Sequence, residues 1–230
     1  MNNIITSIND LFHNIFVAHN GMNLILGGLY TTVVIFIFAA IFAFLLAALL
    51  VWLAHTDKYK WLGKPLSFFV YTIHDVPAVV LMMFFYYVLF AGVTNGTIVS
   101  IFALGVYSAG MQAKLFKTGL HSIDRSNYEA ARMLGMTPWQ AYKYVIIPQT
   151  AKNILPVYIG EVKSLFRCTS YAGYIAQVDL VKSFDIIRKD SGESLIVLLI
   201  CAIIYLLLSI LISKLINWIC QKFFTHDNFK

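Results

Sequence analysis

From Leu24 onward, apolar positions come in runs too long and too unbroken for amphipathic surface helices. The first, Leu24 to Ala54, comfortably exceeds the roughly 20 residues that a helix rising about 1.5 Å per residue needs to cross a bilayer core. Further runs cover Leu66 to Phe90, Ile98 to Phe116, Ile154 to Ala176 and Leu195 to Trp218. The pattern predicts an all-α membrane protein of five transmembrane helices, a single membrane domain over residues 1–230. The fourth run is interrupted by Glu161, Lys163 and Arg167, each costly against hydrocarbon. That helix is therefore expected to face protein or water and to line a cavity.

Composition agrees: 60% of residues are hydrophobic and 12% charged, more apolar surface than a soluble domain of this size could hide. The segment before Leu24 contains Asp10 and no Lys or Arg, so it lacks the basic start of a cleavable secretory signal. Insertion is then expected from the later helices themselves. Cys168, Cys201 and Cys220 are widely spaced in or beside apolar runs, without metal or redox spacing, and read as small packing residues.

Lys and Arg in the connecting segments set the orientation. With the N-terminus outside, the inner ends and loops collect Lys58, Lys60, Lys64, Lys114, Lys117, Arg125, Arg132, Lys143, Lys152, Lys214, Lys222 and Lys230. The outside keeps Lys182, Arg188 and Lys189 beside Asp179, Asp185, Asp190 and Glu193. The expected arrangement is a multi-pass protein of a bacterial cytoplasmic (inner) membrane, its N-terminus extracytoplasmic and its C-terminus cytoplasmic. The net charge of +6 then reflects topology and contact with anionic membrane lipid, with no call for a nucleic-acid partner.

The longest inward connection, residues 117–153, is also the least hydrophobic part of the chain. Ser126 and Glu129 have capping-box spacing and introduce a short helix that Gly135 ends. Thr137 and Pro138 restart a second helix as cap and first residue, and Pro148 interrupts it in turn. Trp139, Tyr142, Val145 and Ile146 supply its apolar face.

Within this connection Glu129, Ala130 and Ala131, then Gly135, then Val145, Ile147 and Pro148 reproduce a known spacing. It resembles the EAA loop of binding-protein-dependent ABC importer permeases, with Val145 and Ile147 replacing the usual Ile and Leu. Gly28 to Thr32, Ser122 and Ile123, Tyr128 to Arg132, Leu134 to Met136, Ile146 to Gln149, and Thr169 with Ser170 are similar to the polar amino acid uptake branch. The resemblance covers about 200 residues, Gly28 to Lys214. It implies the type I ABC importer permease fold, with the first short helix docking on a separate ATPase as a coupling helix. Glu129 would cap that helix and pair with a basic group, Ala130 and Ala131 would admit the partner closely, and Gly135 would permit the bend. The implied partners are an ABC ATPase dimer carrying ATP and Mg, a second permease copy or paralogue, and an extracytoplasmic solute-binding protein. This chain itself binds no cofactor in that scheme, and it has no Gly-rich Lys-Ser/Thr phosphate loop. The chain departs from the branch at His74, Asp75 and Val76, where Arg, Gly and Thr are usual, and at Arg167 and Cys168 for Lys and Asp. It departs also at Gly160 for Asn and Lys114 for Glu.

Candidate pathway residues are Glu161, Lys163, Arg167, Thr169, Ser170, His74 and Asp75. Four-residue spacing puts Lys163 and Arg167 on one face of the fourth helix, with Glu161 roughly opposite and Cys168 beneath it. The two cations suit a substrate carboxylate and the acid a substrate ammonium; pairing with neighbouring helices is the plainer reading. His74 and Asp75, placed at the opening of the second span, form either a gate pair or a satisfied interface pair, with Pro77 marking a boundary. Gly27 and Gly28, and Ala39, Ala43 and Ala47 at four-residue spacing, offer small faces for close helix packing, dimer contact included, or simply face lipid.

An importer of another small zwitterionic solute fits the same residues. An intramembrane enzyme does not: neither Gly-x-Ser-x-Gly nor His-Glu-x-x-His occurs. Nor does a self-contained secondary transporter, since no internal repeat is visible and five helices are too few to enclose a pathway alone.

Overall fold

In a computed structural model, described for residues 20–56, 59–93, 95–175 and 177–224, the chain is almost entirely helical. Asp10, Lys58, Ala176 and Lys230 lie outside the described residues, as do the side chains of Lys60, Cys220 and Lys222. The helices are α1 (Gly21–His55), α2 (Lys60–His74), α3 (Ala78–Phe84, continued by a wide turn, Phe85–Leu89), α4 (Gly96–His121) and α5 (Arg125–Met133). They continue as α6 (Pro138–Ala141, followed by a wide turn, Tyr142–Ile146), α7 (Ile147–Cys168, followed by a tight 3₁₀ stretch, Thr169–Ile175), α8 (Leu180–Ser191) and α9 (Ser194–Phe224).

Among the described residues three helices are long and apolar enough to cross a membrane, within α1, α4 and α9. The expected second span, 66–90, is two helices: Trp61–His74 and Ala78–Leu89 qualify only as a pair, bent by 112°. Pro77 is the physical cause. It cannot donate a backbone bond, and it pushes Val76 out of the helical region, so α2 closes with Asp75 N–H on Thr72 O and Val76 N–H on Ile73 O, both 3.1 Å. His74 and Asp75 therefore end a helix; they do not open one. The fourth expected span is α-helical only to Cys168, and α7 reaches back to Ile147, well before Ile154.

The described residues pack as two compact units, and α1, α4, α7 and α9 each contribute to both. In one unit Ile25, Leu180, Phe184, Ile187, Val197 and Cys201 form the core. Here the expected outer loop is in fact α8, whose apolar stripe is buried. Gly28 allows α1 to meet α8: a Cβ there would fall 2.7 Å from the Asp179 carbonyl oxygen.

In the other unit Ala43, Ala47, Leu50 and Val51 of α1 pack on Val70, Ala109 and Ala113. Ala39, Ala43 and Ala47 are all fully buried within the chain, so their small face serves helix packing inside this subunit. In hydrocarbon such packing gains little from the hydrophobic effect and rests on van der Waals contact, which is why small residues hold the contact points. Gly110 is one: a Cβ there would lie 2.8 Å from that of His74.

Candidate functional site

The segment around Gly135 is built from local capping chemistry. Asp124 is the N-cap of α5, its carboxylate accepting the Ser126 N–H at 2.9 Å. The cap thus lies two residues before the expected Ser126, and Glu129 is not part of a capping box: it pairs with Arg125 at 3.0 Å on the exposed surface. The Ser126 backbone N–H, and after it the Ser126 hydroxyl, hold the Asp124 carboxyl below the usual carboxylate range.

At the other end of α5, Gly135 takes φ +83°, Met136 N–H bonds Ala131 O at 3.2 Å, and Gly135 N–H bonds Arg132 O at 3.1 Å. These two bonds are the reverse turn that closes a helix through a left-handed residue, a conformation a side chain resists by about 1–2 kcal/mol. The Arg132 guanidinium also donates to Met136 O, tying the bend to the helix it ends. Thr137 and Gln140 then form a complete capping box with Pro138 in the first turn of α6, as the spacing predicts.

Pro148 does not break the next helix. Ile147 N–H reaches five residues back to Tyr142 O, and this widened turn leaves room for a proline whose ring crowds the preceding turn. Helix α5 leans on this turn through the Tyr128 and Tyr142 rings, 5.5 Å apart, and Asn127 donates to Gln149 at 3.3 Å.

The result is a short helix whose end is bare. Met133 and Leu134 are 82% and 81% exposed, and Trp139 is 67% exposed. Ala130 is open, but Ala131 is buried against its own chain, so only the first of the two alanines is free to receive a partner closely.

The candidate pathway residues are dispersed. Glu161, half-buried on α7, accepts a 2.9 Å hydrogen bond from Ser108 of α4, and Ser108 accepts one of 3.1 Å from Gln112. Ser108 and Gln112 are fully buried, and the Gln112 carbonyl oxygen has no protein partner. Ser108 and Gln112 escaped the sequence reading because each is one neutral polar residue in an apolar run; their four-residue spacing is the signal that marks them.

His74 and Asp75 do not pair with each other. His74 Nδ1 donates to the Tyr107 carbonyl at 2.9 Å and its ring lies 4.6 Å from that of Tyr107. Asp75 meets Lys114 at 3.4 Å. Lys163 is half-buried and Arg167 exposed, away from the Ser108 bond. Thr169 and Ser170 return their hydroxyls to the Phe166 and Arg167 carbonyls, at 2.7 and 2.8 Å, and so cap the end of α7.

Asp179, which the sequence reading placed only as an outer-loop acid, is fully buried at the N-terminus of α8. It accepts Lys182 N–H at 3.0 Å and Val181 N–H at 3.3 Å, while Thr32 of α1 accepts Leu180 N–H at 3.0 Å. Burial raises its pKa to about 6. On the solvent side of α8, Asp185 meets Lys189, Arg188 and Lys182 at 2.8, 2.7 and 3.7 Å, and bonds to the first two pull its pKa to about 2.

An apolar cavity of about 670 Å³ lies among Phe44, Trp52, Phe116, Trp139 and Tyr158. Its lining would not repay the desolvation of a zwitterion.

Known proteins resemble the chain throughout this architecture. A probable glutamine ABC transporter permease protein, GlnM of Bacillus subtilis, is 26% identical over 217 residues, covering 91% of this chain and 97% of that protein. The glutamate/aspartate import permease protein GltK of Escherichia coli is 24% identical, covering 70% and 75%. The crystal structure of an amino acid ABC transporter with histidines superposes with a TM-score of 0.74 at 25% identity, over 87% of this chain and 94% of that one. The MetNI methionine ABC transporter shares the fold, with a TM-score of 0.71 at 18% identity over 90% and 99%. Residues 51–224 match the model of the binding-protein-dependent transport system inner membrane component, and the chain belongs to that family, as a permease subunit with the type I ABC importer fold.

Proposed function

We propose that this permease forms the pathway of an ATP-driven importer for a polar amino acid, paired with a second copy of itself or a paralogue. An ABC ATPase dimer receives α5 at the cytoplasmic face, and a solute-binding protein delivers the substrate at the opposite face. ATP and Mg reside on the ATPase; this chain contributes the helix that it moves. The N-terminus is extracytoplasmic and the C-terminus cytoplasmic.

The observation that carries this reading is the bare apolar tip of α5. Met133 and Leu134 stand almost wholly exposed at the end of a helix held by the Asp124 cap and a left-handed glycine, a handle that no described residue of its own chain covers. Exposed apolar side chains clustered on the least hydrophobic connection of the chain mark a protein contact. Pro148 and the widened turn continue the handle directly into α7, so displacement of α5 pulls on the helix that holds Glu161.

Relatives named for glutamine and for glutamate and aspartate support a polar amino acid as substrate. Glu161, already in a polar chain with Ser108 and Gln112, is the group we assign to the substrate ammonium. Lys163 or Arg167 takes the carboxylate.

The test is reconstitution of the complex in proteoliposomes with its ATPase and binding protein, followed by uptake of a panel of labelled amino acids. ATP-dependent accumulation of a polar amino acid is expected. Absence of uptake for every amino acid in a complex that still hydrolyses ATP would overturn the substrate assignment, and an assembly in which α5 touches no ATPase would overturn the coupling role.

A further inference from the structure

A second polar feature lies on α4, on the side away from the apolar cavity. Lys114, Lys117 and His121 recur at intervals of three and four residues over its last turns and, with Thr118 and Tyr71 of α2, line a groove of about 340 Å³. The Lys114 ammonium is 5.7 Å from the Tyr71 ring centroid. His121 is held at the rim because its Nδ1–H donates to the Lys117 carbonyl at 2.7 Å.

The charges leave an excess. Lys114 has one carboxylate neighbour, Asp75, at 3.4 Å, with side chains 38% and 70% exposed. An ion pair so long and so wet is worth little. No described carboxylate pairs with Lys117. Two ammoniums less one carboxylate leave one positive charge, matched to a singly charged oxyanion. The carbonyls at the end of α4 oppose an anion, and the two lysines must outweigh them.

Depth selects the occupant. Helix α4 has 26 residues, about 39 Å at 1.5 Å per residue, against a hydrocarbon core of about 30 Å. Lys117 and His121 occupy the last turn or so, where the helix leaves the hydrocarbon, and Lys114 reaches the same level by extending its stem. Trp61 and Phe68 on α2, both largely exposed, are aromatic side chains of the kind that sit at a lipid interface.

We propose that this groove is an oxyanion site that holds the phosphodiester of an acidic phospholipid of the cytoplasmic leaflet. The ammoniums of Lys114 and Lys117 neutralise the phosphate, and the Thr118 and Tyr71 hydroxyls donate to its oxygens. The placement on the cytoplasmic leaflet rests on the importer reading; the binding of the headgroup does not.

The experiment uses the purified full-length chain in detergent, with binding of phosphatidylglycerol and phosphatidylcholine read by native mass spectrometry. Phosphatidylglycerol is expected to be retained in preference to phosphatidylcholine. Each lost cation should weaken it by roughly fivefold, as a lysine near an anionic lipid contributes about 1 kcal/mol. The double variant Lys114→Gln with Lys117→Gln should therefore lose about 25-fold in affinity. Lys114→Arg with Lys117→Arg should retain the preference, and Lys143→Gln, distant on the wide turn before α7, should leave it unchanged. Equal retention of the two lipids by the native chain, or an unchanged preference in the double Gln variant, would overturn the site. Displacement of phosphatidylglycerol by millimolar glutamate and not by inorganic phosphate would give the groove to a carboxylate solute and overturn the lipid assignment. All these readouts are independent of ATP, transport and orientation, so they fail or succeed separately from the importer reading.

Discussion

Replacing Asp179 by Asn is expected to stabilise the protein at neutral pH and to destabilise it in acid. Asp179 lies outside the membrane-spanning segments, yet it is fully buried, and burial lifts its pKa from an ordinary 3.8 to about 6. A raised carboxylate pKa means that the ionised form is disfavoured in the folded chain. Between pH 3.8 and about 6 the folded state keeps a proton that the unfolded state has lost, so stability falls as pH rises through that window. Above it the whole penalty is present: a shift of about 2 units at about 1.4 kcal/mol each, or about 3 kcal/mol. Asn carries no charge and avoids this cost. Its single carbonyl can keep the Lys182 N–H bond at 3.0 Å but leaves the Val181 N–H at 3.3 Å without its acceptor, a loss of about 1 kcal/mol. The net at pH 7.5 is a gain of about 2 kcal/mol, or roughly 4–8 °C in Tm for a chain of this length. As pH falls through the window toward 3.8 the charge penalty drains away, and once it is smaller than the lost hydrogen bond the sign reverses. Thermal unfolding of the detergent-solubilised native and variant proteins across pH 4–8 reads the crossing directly. A constant difference at every pH, of either sign, would refute the account of Asp179 as a buried acid carrying a burial cost.

Three further outcomes follow from the same geometry. Gly135→Val forces a β-branched residue into φ +83°, at a cost of about 1–2 kcal/mol, and should lower uptake while ATP hydrolysis and membrane insertion persist; unchanged uptake would count against the bend. Ala130→Leu and Ala131→Leu should separate. The first sits on the exposed face and is expected to reduce co-purification of the ATPase without a change in Tm, whereas the second overpacks a buried site by about 1–3 kcal/mol and should lower Tm. Glu161→Gln keeps a partner for the Ser108 hydroxyl but removes the charge, and should raise the half-saturating substrate concentration by roughly tenfold or more, the value of a charge-assisted contact of about 1.5–3 kcal/mol; unaltered uptake kinetics would remove Glu161 from the substrate path.

The segment around Gly135 was legible because its geometry is local. Gly135, Thr137 and Pro138 each act on the backbone within a turn of themselves, so spacing alone locates the bend and the second helix. Where two caps compete, the same logic misses by a step: Asp124 and Ser126 both suit an N-cap, and the carboxylate, able to receive the Ser126 N–H itself, takes the position. The break after α2 is local too, but Pro77 stands inside an apolar run long enough to read as one span, and run length outweighed it.

Helix α8 shows the opposite failure. Its stripe of Leu180, Phe184 and Ile187 has helical period, but Lys182, Asp185, Arg188 and Lys189 fill the positions between and give the segment the composition of an outer loop. Charge set the orientation reading and hid the helix that carries the charge. The Ser108–Glu161 bond was illegible for another reason: its partners are 53 residues apart, and no local rule pairs them.

A common requirement connects these cases. A helix end or a bend leaves backbone groups without a partner inside the helix, and here a side chain or another backbone group supplies it. Asp179 and Asp124 supply helix starts, Thr169 and Ser170 close α7, and Gly135 lets the end of α5 bond to itself. Thr169 and Ser170, read from the sequence as pathway residues, thus already give their hydroxyl protons to the end of α7. A substrate acceptor that needed those protons would have to break the bonds to the Phe166 and Arg167 carbonyls, whereas the buried Gln112 carbonyl oxygen has no protein partner and is free to accept. On the proposed importer reading, the polar route is therefore assigned to Gln112, Ser108 and Glu161, on α4 and α7, and α7 is the helix that the wide turn joins to the exposed end of α5.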